Sequence, residues 1–312
     1  MVVTRSELEL YLDALASTCD PIAGVFGPDS QMWRVARESI VFLGGGRAAL
    51  LQLAHPWVAT AVSHHSNAEH DLAGRFLRTF RSVFSMTFGD LPSALETARR
   101  VHALHDQIRG HLDEPLGPWP AQSPYAANEE HALLWVQATL VDTSVSIFEQ
   151  FISPLTDDER ESLWQDHRRS ARLFGISDRI LPPTWPDFRR YFDAMVSGPE
   201  LHIGKASKDL TRFLLTPPNP RVRPLWAWYE AVTAGLMPPH LRAPLGLRYG
   251  PLERTIHDLT VSALRPTWRH LPSRLRHLPA YREATRRLAG DRRPERIIPY
   301  IEGLLTRILA QR

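Results

Sequence analysis

Apolar residues recur three and four positions apart along most of the chain, and the strict alternation of a half-buried strand is scarce. This pattern predicts helices at Ser6–Ser17, Ser30–Phe42, Ala48–Ser63, Ala68–Phe88, Pro92–Arg109, Asn128–Ile152 and Thr156–Phe174. Further helices are predicted at Trp185–Met195, Gly198–Leu214, Leu225–Ala234, Leu252–Leu264, Ser273–Ala289 and Pro294–Ala310. Gly89 and Gly110 stand where two of them end. Pro92 and Pro294 fall in first turns, where a missing N–H costs little. The expected fold class is therefore all-α. No clean linker divides the chain, so one large helical domain over residues 1–312 is expected, with a core at about 30–250. An Arg- and Pro-rich helical layer is expected to follow over 251–312.

Several polar residues sit inside apolar stripes, and these carry the functional question. In Pro92–Leu112 the positions Ala94, Ala98, Val101, His105, Ile108 and Leu112 share one helix face. His105 thus fills a slot that leucine would ordinarily take. It is either a core histidine bonded to a carbonyl or an axial ligand to a haem iron. In Ala68–Phe88 the stripe is Leu72, Phe76, Phe80, Val83 and Thr87. Arg75 and Thr79 share its edge, with Arg78 beside them. These arginines either cover the core edge with their stems or meet cofactor carboxylates, with the Thr79 hydroxyl as a donor.

Ala48–Ser63 is apolar on almost every side and reads as a buried helix. Pro56 should kink it and free a carbonyl near Gln52. His55 lies at that kink, and His64 and His65 at its end. The segment either lines a pocket or forms a central structural helix. In Asn128–Ile152 the buried face carries Gln137, Thr139 and Asp142, each of which needs a partner.

Composition narrows the classes. The formal net charge is +3, with 43% hydrophobic and 23% charged residues, as in an ordinary globular protein. Lys205 and Lys208 are the only lysines among 37 basic residues; the rest are arginine. Cys19 is the single cysteine, so neither an intramolecular disulfide nor a cysteine-based zinc or iron–sulfur site can form. The N-terminus lacks the apolar stretch of a signal peptide, and the least charged run, Ala48–Ala68, is broken by Pro56 and histidines. A cytoplasmic protein is expected, peripheral to the membrane at most. Arg265–Arg296 holds ten arginines and is either a solvated helical face or a surface for anionic lipid. No nucleic-acid motif accompanies it. There is no HExxH, Walker, GxGxxG or GxSxG motif, and no histidine has Asp or Glu three residues before it, which excludes an ExxH di-iron site. His102 and His105 could share a metal, but no carboxylate partner is evident in their helix.

Six blocks in order resemble the catalytic-domain family shared by the latex-clearing rubber oxygenase and the membrane-associated oxygenase of mycophenolic acid biosynthesis. They are GGGRAALLQLAHPWVA (Gly44–Ala59), GRFLRT (Gly74–Thr79), RVHALHDQIRG (Arg100–Gly110), LLWVQATLVDT (Leu133–Thr143), LFGIS…LPPTWPDFRRY (Leu173–Tyr191) and LMPPHLRAPLG (Leu236–Gly246). The similarity runs from about Trp33 to Leu247. It implies an all-α fold with a globin-like core, a b-type haem, and oxidative cleavage of carbon–carbon double bonds in isoprenoid chains. His105 then matches the proximal haem histidine, and Arg75 and Thr79 the arginine and threonine of the haem pocket. Gln137 replaces a histidine frequent in the family and is expected to face the cofactor. Arg78 stands where the rubber oxygenase has a distal lysine. Arginine is always charged and a poor iron ligand, so an open or water-bound distal site is expected. That enzyme's pocket carboxylate aligns with Val58–Ala59, where this chain has no Asp or Glu; if that group is the catalytic base, His55 and His65 are the candidates to replace it.

Two functions follow as expectations. The first is a haem b-dependent oxygenase that takes O2 and a lipophilic, isoprenoid-type substrate. The second is a non-enzymatic haem- or lipid-binding helical protein.

Overall fold

The computed structural model describes residues 1–65, 68–217 and 219–291, with backbone alone for 68–77. The predicted helix Pro294–Ala310 lies outside the described residues. The chain runs α1 (Arg5–Thr18), α2 (Gln31–Ala36), a 3-10 turn (Ser39–Gly44), α3 (Gly45–Leu53), α4 (Pro56–His65), α5 (Ala68–Phe88) and α6 (Leu91–Asp106). A short antiparallel hairpin follows, β1 (Arg109–His111) and β2 (Pro124–Ala126), with Gly110 opposite Tyr125. Then come α7 (Glu130–Phe151), α8 (Asp157–Arg172), α9 (Trp185–Ser197), α10 (Lys205–Leu215), α11 (Arg223–Leu236), α12 (Pro239–Arg242), α13 (Pro251–Trp268), α14 (Ser273–Arg276) and α15 (Pro279–Leu288). The all-α expectation is borne out.

Local chemistry fixes the helix ends. Thr4 with Glu7 and Thr156 with Glu159 form reciprocal capping boxes on α1 and α8. Asp90 caps α6 through the Ser93 N–H, with Pro92 in its first turn. Pro56 acts more strongly than a kink: α3 stops at Leu53 and α4 begins at the proline itself. The Gln52 carbonyl is not freed, because the His55 N–H takes it at 3.1 Å. At the break the buried Ala54 carbonyl accepts from His202 N at 3.0 Å.

Four further predicted elements differ. Ser30–Phe42 is helical only over Gln31–Ala36, and Ser39–Gly44 is a 3-10 turn. Pro92–Arg109 ends at Asp106, and Gly110 serves the hairpin instead. A Cβ there would lie 2.5 Å from Tyr125 Oη. Gly198–Gly204 is not helical, because Gly198, Pro199 and Gly204 leave the backbone of that segment without a regular turn. Ser273–Ala289 divides into α14 and α15 at Pro279.

α7 is the axis. Leu133 and Leu134 pack with Ala94 and Ala98 of α6 and with Leu8 and Leu12 of α1. Trp135, Ala138 and Val141 pack with Leu50 and Leu51 of α3, Phe188 and Phe192 of α9, and Ala234 of α11. α3 approaches α7 closely because Gly44 precedes it: a Cβ there would lie 2.4 Å from Thr143 Cγ2. A buried polar cluster locks this contact. Arg47 donates to Asp142 Oδ2 and Thr143 Oγ1, each at 2.6 Å, and to the Leu236 carbonyl at 2.9 Å. Arg189 of α9 holds the other Asp142 oxygen.

Candidate functional site

The two histidines of α6 have different fates. His102 is 6% exposed, and its Nε2 lies 3.0 Å from the Val3 carbonyl. A carbonyl only accepts, so Nε2 carries the proton. The His102 carbonyl in turn accepts from Asn128 Nδ2 at 3.1 Å. His102 is thus a structural histidine that seats the N-terminal segment. His105 is half-buried, in the last turn of α6. It continues the stripe Ala94, Ala98, Val101, whose members belong to the same packed cluster as Leu133 of α7.

Above Leu133, the face of α7 opens. Thr139 accepts from Gln52 of α3 at 3.1 Å on one side. On the other, Gln137 donates to the His167 carbonyl of α8 at 2.6 Å. Val136 and Leu140 form the stripe between, and Leu140 is 41% exposed in the middle of an otherwise buried helix. α5 packs chiefly on α6, with lesser contact to α2 and α15. Its C-terminal half meets the 3-10 turn through Phe42, whose ring lies 4.9 Å from that of Phe80. Phe42 itself remains 37% exposed.

A haem takes an imidazole ligand and apolar side chains around it. His105, half-buried in the last turn of α6, and Val136 and the exposed Leu140 of α7 are side chains of these kinds, and in that respect the residues fit the group. Of the remaining haem-pocket candidates, Arg78 and Thr79 are exposed on α5. The Arg75 side chain lies outside the described residues. Gln137 turns its amide nitrogen to α8, while its Oε1 is buried without a partner among the described residues. Among those residues, no three His, Cys, Asp or Glu side chains converge as a metal site.

His55 and His65 are brought to different places. His55 is 5% exposed at the α3–α4 break, where its Nδ1 accepts from Trp57 N at 3.3 Å. Its ring lies 5.8 Å from Trp57 and 6.0 Å from Trp119, which the hairpin loop contributes. Burial pushes its pKa down to about 4, and the charge of Glu129 opposes this only partly. The lone-pair nitrogen of His55 is already occupied. His65, by contrast, is exposed at the end of α4, next to the turn that follows His105. Its Nε2 lies 3.1 Å from the Arg109 carbonyl and 3.2 Å from Tyr125 Oη. Tyr125 Oη is 3.1 Å from His64 Nδ1, and His64 Nε2 is 2.9 Å from Asp113. The Arg109 carbonyl sets the polarity of this whole chain. His65 Nε2–H donates to it and to Tyr125, Tyr125 donates to His64 Nδ1, and His64 Nε2–H donates to Asp113. The basic nitrogen of His65 is therefore Nδ1. Burial, with the Asp113 charge, raises the Tyr125 pKa and keeps the phenol protonated.

Sequence pattern did not single out Arg47, Tyr125, Asp113 or Trp119. Asp142 was flagged as needing a partner, which is the only signal that led toward Arg47.

Residues 33–270 match the model of the ER-bound oxygenase mpaB/B'/rubber oxygenase catalytic domain. The chain belongs to this oxygenase family. Comparison with curated proteins and with solved structures gives no match. The match extends past Leu247 to take in α13, which packs on α11 and α7. In this member of the oxygenase family the ordered blocks have structural meanings. GGGR makes the close α3–α7 contact, RVHALHDQIRG carries both α6 histidines into the hairpin, and LLWVQATLVDT is the half-covered axis. Among the described residues, no helix is long and apolar enough to cross a membrane.

Proposed function

We propose that the chain is a haem b-dependent oxygenase that takes O2 and a lipophilic, isoprenoid-type substrate. The observation that carries this reading is His105: a half-buried imidazole in the last turn of α6, continuing a stripe that packs with Leu133 of α7, in a chain of an oxygenase family. Bound haem would supply the iron at which dioxygen reacts. The chain's own residues would do the rest. His105 would hold the iron. Arg75 and Arg78 of α5 would pair with the haem carboxylates, and Thr79 would donate a hydrogen bond beside them. Val136, Leu140 and Phe42 exclude water and receive an apolar chain. His65 Nδ1 is better placed to take a proton than His55, whose Nδ1 is held by Trp57 N–H and whose burial disfavours the charged form.

The test is the visible absorption spectrum of protein expressed with a haem precursor, compared across wild type, His105→Ala and His102→Gln. A Soret band in wild type that is lost or shifted in His105→Ala and kept in His102→Gln supports the reading. A folded, colourless wild type that refuses haem removes the oxygenase mechanism and leaves a lipid-binding helical protein. A haem protein that turns over no alkene with O2 leaves a haem-binding protein.

A further inference from the structure

The end of α4 and the hairpin bring two imidazoles and a phenol together. His64 Nδ1 lies 3.1 Å and His65 Nε2 3.2 Å from the same atom, Tyr125 Oη. In a tetrahedral zinc site with bonds of about 2.0–2.1 Å, neighbouring ligand atoms stand roughly 3.3–3.4 Å apart. Two edges of the triangle are thus close to what one ion requires. The third is longer, since the imidazole centroids are 6.5 Å apart. A turn of the exposed His65 side chain closes it.

The surroundings hold these ligands in place. Tyr125 is 4% exposed, sits on β2 opposite Gly110, and keeps its Oη where a Cβ on that glycine would come within 2.5 Å. The outer nitrogen of His64, Nε2, is 2.9 Å from the Asp113 carboxylate. A carboxylate on the far nitrogen is the arrangement that fixes the tautomer and orientation of metal-bound histidines. It leaves His64 Nδ1 as a lone pair aimed at Tyr125. The Arg109 carbonyl, 3.1 Å from His65 Nε2, puts a further oxygen within reach. The His64 side chain is 37% exposed and His65 is exposed, so an ion enters directly from solvent. Asp113 meets the far side of His64, which is why the acidic and imidazole groups do not converge on one point while the phenol and the two imidazoles do.

We propose that His64 Nδ1, His65 Nε2 and Tyr125 Oη form a site for a divalent ion of the zinc–copper class, with Asp113 as the positioning partner of His64. Imidazole nitrogen suits this class of ion. The proton balance is definite. His64 Nδ1 is already bare, His65 moves its proton from Nε2 to Nδ1, and Tyr125 loses its phenol proton to solvent. One proton therefore leaves per ion bound. Burial and the Asp113 charge keep the phenol protonated in the metal-free chain, and a bound dication reverses that local field. With the ion in place His65 Nδ1 is no longer a base, so the proton-accepting role given to it above belongs to the metal-free chain. The site itself stands without the haem reading.

The untagged full chain is freed of metal with a chelator and titrated calorimetrically with zinc chloride near neutral pH, in two buffers of different ionisation enthalpy. The expected result is one ion bound and one proton released per chain. His64→Gln and Tyr125→Phe should each weaken binding at least tenfold, and Asp113→Asn roughly 10–100-fold. His270→Gln, at an exposed histidine in the second half of the chain, should leave it unchanged. Nitrogen-15 NMR should show zinc moving the His65 proton from Nε2 to Nδ1. Absence of saturable binding of both zinc and copper(II) overturns the proposal. So does binding that survives His64→Gln and Tyr125→Phe, or that His270→Gln weakens equally, since that marks scattered surface histidines. A His65 that keeps its Nε2 proton with zinc bound overturns it as well. Should Tyr125→Phe fail to fold, the substitutions at the exposed His64 and Asp113 decide.

Discussion

Replacing Arg47 by leucine should be among the most damaging single changes in this fold. Its guanidinium is 7% exposed and bonds three groups on two helices, Asp142 and Thr143 of α7 and the Leu236 carbonyl at the end of α11. Leucine keeps part of the apolar stem but removes every donor. Asp142, with 8% of its side chain exposed, would retain only Arg189, and the Leu236 carbonyl and Thr143 hydroxyl would lose their donor. Removing one partner of a buried ion pair typically costs about 3–5 kcal/mol, because the other charge stays buried. At roughly 2 °C per kcal/mol for a chain of this size, the melting temperature should fall by about 6–10 °C. Urea unfolding and thermal melts followed by far-ultraviolet circular dichroism at neutral pH measure both. Arg189→Leu is the internal comparison. That guanidinium is 36% exposed, solvent screens it, and its loss should cost about 1 kcal/mol or less. The double change Arg47→Met with Asp142→Leu should recover most of the loss, since it removes both buried charges. An Arg47→Leu protein within about 0.5 kcal/mol of wild type, or a double variant as unstable as the single one, would refute the reasoning.

Three further outcomes are expected. His55 is neutral in the fold with a pKa near 4, below its ordinary value of 6.5, so the unfolded chain binds the extra proton; stability should be full above pH 6.5 and decline by roughly 3 kcal/mol as pH falls toward 4. Urea midpoints across that window should flatten in His55→Phe, and an unchanged slope would show that other groups set it. Gly110→Ala places a Cβ 2.5 Å from Tyr125 Oη and 2.8 Å from Cζ, so the ring must move at a cost of about 1–3 kcal/mol; melting equal to wild type would contradict the packing described. Nitrogen-15 NMR of the histidine rings near neutral pH should find both His64 and His65 as the Nε2–H tautomer, with His64 losing its preference in Tyr125→Phe, whereas an Nδ1–H His65 would reverse the assigned hydrogen-bond polarity.

The sequence made some of this legible and hid the rest for physical reasons. α5 matches its predicted bounds because a long amphipathic stripe ends at a glycine, both of which are local signals. The hairpin was invisible: RGH and PYA are three-residue strands held by backbone pairing, with no alternation to read. His102 and His105 look alike in sequence, three residues apart. What separates them is the Val3 carbonyl, a contact across 99 positions. The need of Asp142 for a partner was plain from its place among apolar residues. That Arg47 would supply it was not, because α3 crosses α7 at glycine and threonine positions that carry no charge signal. The oxygenase family was legible because six short blocks in order are far more specific than any one of them.

The position of α7 has a consequence for synthesis. The helix is apolar on nearly all sides, yet the partners that cover its α9 and α11 faces come later, Leu236 following Phe151 by 85 residues. At roughly 5–20 residues per second, the ribosome needs about 4–17 s to deliver them. During that interval a sticky cylinder is exposed beside the exit tunnel, and aggregation competes with folding. Translation speed across α8–α11, and chaperone capture of the nascent chain there, should therefore govern soluble yield more than any surface residue does.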